Sequence, residues 1–201
     1  MKKIIVYTHS DCLLKDNGPG HPEKKERLQI ILKSIQDINS IDIEIKNAPL
    51  AGLDNICLVH PATYINNIFS SIPNFGLKGI EKEPYADTLL CPDSKNAILR
   101  SCGAGIAGAD NIMKDNEKRI FCAVRPPGHH AETIRANGFC FVNNVAVTAK
   151  YLKNDSVFRA VLPLADEKNI PLDFIKQSFK SESVKIYEDI PDRFEFAYEK
   201  K

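Results

Sequence analysis

Two adjacent histidines, His129 and His130, are the side chains of this sequence best suited to acid/base chemistry. They lie in the stretch "RPPGHHAE" (125–132), after two prolines and a glycine. An imidazole exchanges a proton near neutral pH, and two neighbouring imidazoles can divide the work of a general base and an electrostatic stabiliser. The alternative is a surface loop that happens to contain two histidines, and the dipeptide alone favours that simpler interpretation.

The position of the pair along the chain fits a binding site. "RIFCAV" (119–124) is typical of a buried strand, and the turn follows it directly. In open α/β sheets, ligands bind beyond the carboxyl ends of the strands. A stiff turn at this point would therefore present both imidazoles to a ligand.

The other three histidines indicate other roles. His21 and His60 each precede a proline, which favours an extended conformation. We predict that both tether loops. His9, at the end of the first predicted strand, either borders a pocket or lies at the surface. None of the five histidines follows position 130.

The elements that must position these residues alternate between strand and helix, which predicts an α/β fold with an open, mostly parallel sheet flanked by helices. "IIVYT" (4–8) and the alternating "IDIEIKNA" (41–48) predict strands. Between them, an apolar stripe predicts a helix on the core, with Pro22 in its first turn. The members of that stripe are Leu28, Ile31, Leu32, Ile35 and Ile38.

The middle of the chain combines a long loop with a helix of small residues. Residues 73–93 are rich in proline, glycine and charge, and predict the longest loop. A helix follows from Asp93 or Ser94, and its centre, "SCGAGIAGA" (101–109), indicates close approach to a neighbouring backbone. A further helix contains Val145, Ala149 and Leu152.

Composition excludes several classes of protein. The chain has 201 residues, 43% of them hydrophobic, enough for one domain or part of a larger one. Its net charge of +1 gives no reason to expect a nucleic acid or an anionic membrane as partner. No stretch is long and apolar enough to span a bilayer. Six cysteines without a CxxC pair indicate buried thiols in a reducing compartment, so we expect a cytoplasmic protein.

Four stretches of the chain resemble the histone deacetylase family, including its bacterial amidohydrolase and acetoin-utilisation relatives. The most specific is "AVRPPGHHAETIRANGFCFVNNVAVTAKYL". The others are "HPEKKERL", "LVHPATYINNI" and "YADTLLCPDSKNAILRSCGAG". The resemblance covers residues 1 to about 152, and it implies the fold shared by arginases and deacetylases. We expect residues 1–152 to form the first part of such a domain, and 153–201 to form a divergent tail.

The resemblance also implies an activity and a set of roles. Members are zinc-dependent hydrolases that remove acetyl groups from lysine side chains or polyamines, and their metal activates the attacking water. His129 then matches an orienting, electrostatic group and His130 the general base and acid. Gly138 and Phe139 match positions lining a narrow channel for the acyl-lysine. Asp87 matches an acidic rim residue in one of several possible alignments of its loop.

The tail departs from the family pattern at the metal site. In an alignment extended without gaps, Asp166 falls on a ligand aspartate, but Lys168 falls on a ligand histidine. A lysine ammonium has no lone pair and repels a divalent cation. We therefore expect impaired zinc binding, in a chain that is truncated, frameshifted or completed by a partner.

Two functions from different classes follow. The first is a zinc-dependent deacetylase-type hydrolase of acetylated lysine or acetyl-polyamines, with His129 and His130 as the acid/base pair. The second is a catalytically inactive fragment or binding module that retains half of the acyl-amide pocket. An arginase relative would share the fold, but "PPGHH" and "GFCF" suit the deacetylase channel better. The sequence leaves the oligomeric state open.

Overall fold

The computed structural model describes residues 3–80, 87–114 and 119–154. Eleven elements are formed in the described part of the chain. In order they are β1 (Ile4–Thr8), α1 (Asp11–Leu14), α2 (Lys25–Gln36), β2 (Ile43–Asn47), α3 (Leu53–Ile56), α4 (Ala62–Ser70), β3 (Lys78–Gly79), β4 (Leu89–Leu90), α5 (Ser94–Lys114), β5 (Arg119–Cys122) and α6 (Asn144–Asn154).

A parallel sheet in the order β2-β1-β5 forms the centre of the fold. Successive side chains of a strand point to opposite faces, and both faces of β1 are covered. Ile5 packs with Ala104 of α5 on one face, whereas Val6 packs with Leu28 of α2 on the other. The predicted open, mostly parallel sheet flanked by helices is confirmed, and so is the strand over Ile4–Thr8.

Small residues let α5 approach its neighbours, as the sequence indicated. A Cβ on Gly103 would lie 2.0 Å from the carbonyl oxygen of Pro49. A Cβ on Gly108 would lie 2.7 Å from Cγ2 of Ile120 in β5. Larger side chains at these two positions would push α5 away from the loop after β2 and from the sheet.

The start of α2 differs from the prediction. The helix begins at Lys25, so Pro22 precedes it and the prediction of Pro22 in the first turn is wrong. Glu23 is buried instead, because its carboxylate pairs with Arg125 on the turn after β5. Of the predicted apolar stripe, Leu28 is buried, whereas Ile31 is 42% exposed and faces a pocket.

The long loop predicted over 73–93 contains a short antiparallel ladder between β3 and β4. By its internal contacts the chain divides into two compact units, residues 1–148 and 149–201. Of the second unit the structure describes only 149–154, the last part of α6. Within the described ranges, no helix combines the length and the apolar character needed to cross a membrane.

Candidate active site

The turn after β5 brings the two histidines to the carboxyl end of the sheet. Ala123 continues the β5 ladder by donating its N–H to the carbonyl of Tyr7 at 2.8 Å. The chain then turns, and both imidazoles become exposed. Their ring centroids lie 4.2 Å apart, with the planes inclined at 57°. The rings of His129 and His130 are thus neighbours in space as well as in sequence.

The first support of this turn is a relay of hydrogen bonds from α5 and α6. The buried Ser101 hydroxyl donates to the carbonyl of Pro126 at 2.7 Å. Asn144 in turn donates through Nδ2 to the Ser101 hydroxyl at 2.8 Å. Gly128 is pressed against the same asparagine, because a Cβ there would lie 2.2 Å from Asn144 Oδ1. The backbone before the histidines therefore has little freedom to move.

The second support is a buried cluster of charges beneath the turn. The Arg125 guanidinium forms a two-pronged contact with the Glu23 carboxylate, through Nε to Oε1 and through Nη2 to Oε2 at 3.0 Å. Its Nη1 also donates to the carbonyls of Cys12 at 2.8 Å and Lys15 at 3.0 Å. The cluster ties the turn to the segment that precedes α2, since charge-assisted, two-pronged pairs are the most directional ones.

Lys15 adds a second cation to this cluster. Its side chain is buried, with Nζ 3.9 Å from Glu23 Oε2 and donating to the carbonyl of Leu89 at 3.2 Å. Burial lowers the pKa of Lys15 to about 8, although the Glu23 carboxylate opposes that shift. Glu23 is therefore the carboxylate that two buried cations share.

The third support is His60, which is fully buried. Its Nδ1–H donates to the carbonyl of Thr133 at 2.9 Å, and its Nε2 accepts the N–H of Asn143 at 2.9 Å. This arrangement requires the neutral ring, and burial lowers the pKa of His60 accordingly. His60 thus tethers the loop that follows the histidine pair, as the sequence indicated.

The rings of the histidine pair, in contrast to that of His60, make no hydrogen bonds to the described residues. Within residues 3–80, 87–114 and 119–154, neither ring of the pair has a hydrogen-bond partner. Partial desolvation lowers the pKa of His129, and the neighbouring His130 lowers it further. The ring nitrogens of His129 and His130 are therefore open to a ligand in the described part of the chain.

An open pocket of about 440 Å³ adjoins the pair. Its wall combines apolar side chains of α2 and β5 with the histidines and the turn at Gly138 and Phe139. The lining residues include Pro22, Arg27, Leu28, Ile31, Phe121, Cys122, His129, His130, Gly138 and Phe139. The structure therefore brings together four of the site residues predicted from the sequence.

Gly138 and Phe139 form the tip of a tight turn between Asn137 and Cys140, whose backbones exchange two hydrogen bonds of 3.0 and 2.9 Å. Both central residues have a left-handed backbone, with φ of 52° and 69°. This is the geometry of a two-residue hairpin turn, which usually has glycine or asparagine at both positions. A Cβ on Gly138 would lie 2.9 Å from Cδ2 of His130, so the turn packs directly against that ring.

Asp87 is exposed and lies next to this turn rather than in the pocket wall. Its Oδ1 accepts the Thr88 hydroxyl at 3.2 Å, and that hydroxyl accepts the Phe139 N–H at 3.1 Å. The ring of His21 contacts Phe139 edge-on, with centroids 4.8 Å apart, and its Nε2 lies 3.0 Å from the Asp87 carbonyl. Asp87 and Phe139 are therefore linked through the Thr88 hydroxyl.

Sequence reasoning missed the residues that support the site. Glu23 and Arg125 belong to "HPEKKERL" and "RPPGHH", two stretches that carried the family resemblance. Their opposite charges were the signal that could have paired them. Thr88 gave no signal, because its role depends on the contact with Phe139, 51 residues away.

The predicted metal ligand Asp166 lies outside the described residues, and so does Lys168, which falls on the position of the partner ligand. Among the residues that the structure does describe, no three His, Cys, Asp or Glu side chains are placed to hold a metal ion. The described side chains alone therefore do not fit a zinc site.

Comparison with known proteins relates most of the chain to one family. A family model described as "Histone deacetylase domain" matches residues 21–164. The chain is 30% identical over 182 residues to type-2 histone deacetylase 2 of Dictyostelium discoideum, covering 75% of this chain and 10% of that protein. It is 28% identical over 151 residues to a probable deacetylase of Methanothermobacter thermautotrophicus, covering 75% of this chain and 43% of the relative.

A solved structure has the same fold. The crystal structure of the HDA15 HD domain superimposes with a TM-score of 0.67 at 23% sequence identity. The match covers 77% of this chain and 44% of the other. The chain thus spans less than half the length of these relatives.

Proposed function

The chain belongs to the histone deacetylase family, and on that premise we propose that it binds and hydrolyses acyl amides, namely acetylated lysine side chains or acetyl-polyamines. The observation that carries the proposal is the meeting of the His129 and His130 rings with Gly138 and Phe139 at one open pocket. An apolar wall with a few converging polar groups is the usual form of a small-molecule site.

The pocket suits the two parts of such a substrate. The Phe139 ring offers an apolar surface to the alkyl chain of an acetylated lysine or polyamine. The imidazoles supply the polar end, where an amide carbonyl needs hydrogen bonds and proton transfer. Their lack of partners among the described residues supports this assignment, because their ring nitrogens are available.

In the proposed reaction His130 carries the proton. A water oxygen attacks the amide carbon while His130 accepts a proton from that water. The carbon–nitrogen bond then breaks and His130 returns the proton to the leaving nitrogen. The second proton of the water passes from the new carboxylic acid to the amine, so acetate and the protonated amine are released. His129 orients the carbonyl and the developing charge as a neutral imidazole, which its lowered pKa favours at pH 7.

Zinc is the cofactor that the family implies. The residues the structure describes hold no three-ligand cluster for it, and we derive no step of the reaction through a metal. Asp166 remains the proposed ligand position from the sequence alignment, with Lys168 where the partner histidine is expected.

A second candidate function is an acyl-amide binding module without turnover. The sequence observation that favours it is Lys168, since an ammonium cannot replace an imidazole as a metal ligand. This candidate predicts selective binding of the acetylated form with no release of acetate.

One set of measurements separates these functions. Binding of a labelled acetyl-lysine peptide and its unacetylated form is compared by fluorescence anisotropy, and acetate release and zinc content are measured on the same protein. We expect acetylation-dependent binding, weakened about tenfold or more by Phe139→Ala, and acetate release abolished by His130→Ala. Phe75→Ala is the matched control, because Phe75 is 87% exposed and outside the pocket.

The outcomes differ for each function. Selective binding without acetate release in any zinc-supplemented sample would favour the binding module. Equal binding of acetylated and unacetylated peptides would overturn both acyl-amide functions.

A further inference from the structure

We propose that His21 and Thr88 are positioning residues that hold the Asp87 carboxylate and the Phe139 ring together as one rigid unit at the edge of the pocket. This inference rests on the proposed acyl-amide function and goes beyond it, because it assigns roles to two residues outside the histidine pair. We call His21, Asp87, Thr88 and Phe139 the mouth unit.

One side of the mouth unit is a hydrogen-bond path through a single hydroxyl. The Phe139 N–H donates to Thr88 Oγ1 at 3.1 Å, and the Thr88 O–H donates to Asp87 Oδ1 at 3.2 Å. Thr88 is fully buried, so water cannot replace either bond without a rearrangement. The direction of the carboxylate is therefore coupled to the backbone of the Phe139 turn.

The other side of the mouth unit is the ring of His21. Its Nε2 faces the carbonyl oxygen of Asp87 at 3.0 Å, and because that oxygen can only accept, Nε2 carries the proton. Its Nδ1 accepts the N–H of Glu23 at 3.0 Å. The imidazole of His21 also contacts the Phe139 ring edge-on, with 73° between their planes, so each of the four residues contacts two others of the mouth unit.

The conformation of Phe139 gives a reason for this bracing. A phenylalanine at φ 69° is strained, since an L side chain rarely adopts the left-handed region. Such residues persist only when their surroundings hold them, and they concentrate at ligand sites. Thr88 and His21 hold Phe139 in this conformation, and the ring of Phe139 forms the proposed channel wall.

The mouth unit is connected to peptide binding by the role that the family resemblance implies for Asp87, an acidic rim residue that holds the substrate backbone. Asp87 is exposed, and only its Oδ1 has a side-chain partner among the described residues, so the carboxylate can accept N–H groups of a peptide backbone beside the acetyl-lysine. If Thr88 positions that carboxylate, the part of its effect that acts through the carboxylate disappears once the carboxylate is removed, whereas the part that acts through the Phe139 N–H remains. Thr88 and Asp87 should then behave as coupled, not independent, residues.

The test is a double-mutant cycle with the full chain and an acetyl-lysine pentapeptide. Thr88→Val removes the hydroxyl at constant shape, and Asp87→Ala removes the carboxylate. We expect each to weaken peptide binding about three- to tenfold, the range that one lost hydrogen bond produces. The double variant should bind clearly better than the product of the two single losses predicts, because the two substitutions share the bond between Thr88 and Asp87. Multiplied losses in the double variant would overturn the proposal.

Two further variants separate positioning from folding. Thr88→Ser keeps the hydroxyl and should restore binding to within about twofold of the original. His21→Phe keeps the edge contact with Phe139 but loses the bonds to the Asp87 carbonyl and the Glu23 N–H, and should weaken binding by at least the same factor as Thr88→Val. Wild-type affinity in His21→Phe, or no rescue by Thr88→Ser at unchanged stability, would contradict the positioning role.

Amide hydrogen exchange gives a readout that needs no ligand. The Phe139 N–H should exchange at least about fivefold faster in Thr88→Val than in Thr88→Ser, at equal global stability. Unchanged exchange would overturn the mouth unit. Faster exchange together with no acetylation-dependent binding by the wild type would support the coupling of the four residues but refute the proposed function.

Discussion

A buried frame of three residues, Glu23, Arg125 and His60, lies beneath the histidine turn, and its polar groups differ from those of the two imidazoles on the turn. The charges and ring nitrogens of the frame have hydrogen-bond or ion-pair partners. His129 and His130 are exposed and make no side-chain hydrogen bond to a described residue. The polar groups of the frame are thus hydrogen-bonded within the fold, whereas the ring nitrogens of the pair are available to a ligand.

His60 and His130 show the difference for one side-chain type. The ring of His60 has a donor partner and an acceptor partner, so its protonation state is set by the fold. The ring of His130 lies beside that of His129 and beside the Gly138 turn, and it makes no hydrogen bond to a described residue. Changes in the frame should therefore alter stability, and changes in the pair should alter ligand binding and turnover.

Glu23→Ala is expected to have the largest effect on the frame. It leaves Arg125 and Lys15 buried without the carboxylate that they share, and removing one partner of a buried ion pair costs about 3–5 kcal/mol. The free energy of unfolding from urea titration measures this loss. Glu26→Ala, on the exposed face of α2, serves as control and should change it by less than about 0.5 kcal/mol. A loss below about 1 kcal/mol for Glu23→Ala would refute the role of this cluster.

His60→Ala should come next, with a loss of about 2–4 kcal/mol. The variant leaves a cavity and deprives the Thr133 carbonyl and the Asn143 N–H of their buried partner. The matched control is His130→Ala, which should stay within about 0.5 kcal/mol of the wild type, because its side chain is exposed. Equal losses in the two variants would remove the distinction between frame and pair.

The pH dependence of stability should show a smaller effect of the same residue. Burial lowers the pKa of His60, so below about pH 6.5, the ordinary pKa of histidine, the unfolded chain binds a proton that the folded chain resists. The stability that the neutral ring contributes is present above that pH. It is lost as the pH falls toward the folded pKa, at up to about 1.4 kcal/mol per pH unit.

Urea titrations at pH 7.0 and 5.5 measure this loss. His60→Gln lacks the titrating ring and should lose less stability over the same interval than the wild type. Equal losses in both proteins would show that His60 does not contribute to the acid sensitivity.

The sequence predicted those parts of this structure that depend on local patterns. An apolar run bounded by polar residues was enough for β1, and the small residues of α5 predicted its close approach to a neighbouring backbone, which Gly103 makes with Pro49. The tandem histidines could be placed at the carboxyl end of β5 because a strand and a stiff turn precede them.

The remaining features depend on pairings between distant residues, which local periodicity does not encode. Glu23 meets Arg125 across 102 positions, and His21 meets the Asp87 carbonyl across 66. The first contact arises only when the sheet brings the carboxyl ends of β1 and β5 to one edge, and the second depends on where the segment before β4 lies. The same limit applies to Asp166 and Lys168, which remain predictions from alignment alone.

The most direct test of the claim that His129 and His130 face an acyl amide is an NMR titration of the imidazole resonances with Nε-acetyl-lysine methylamide. We predict that the resonances of His129 and His130 shift together and saturate at one concentration, while those of His60 stay unchanged. The unacetylated lysine derivative should produce no such shifts. Unperturbed resonances of the pair at concentrations that saturate the protein, or equal shifts for His60, would contradict the account.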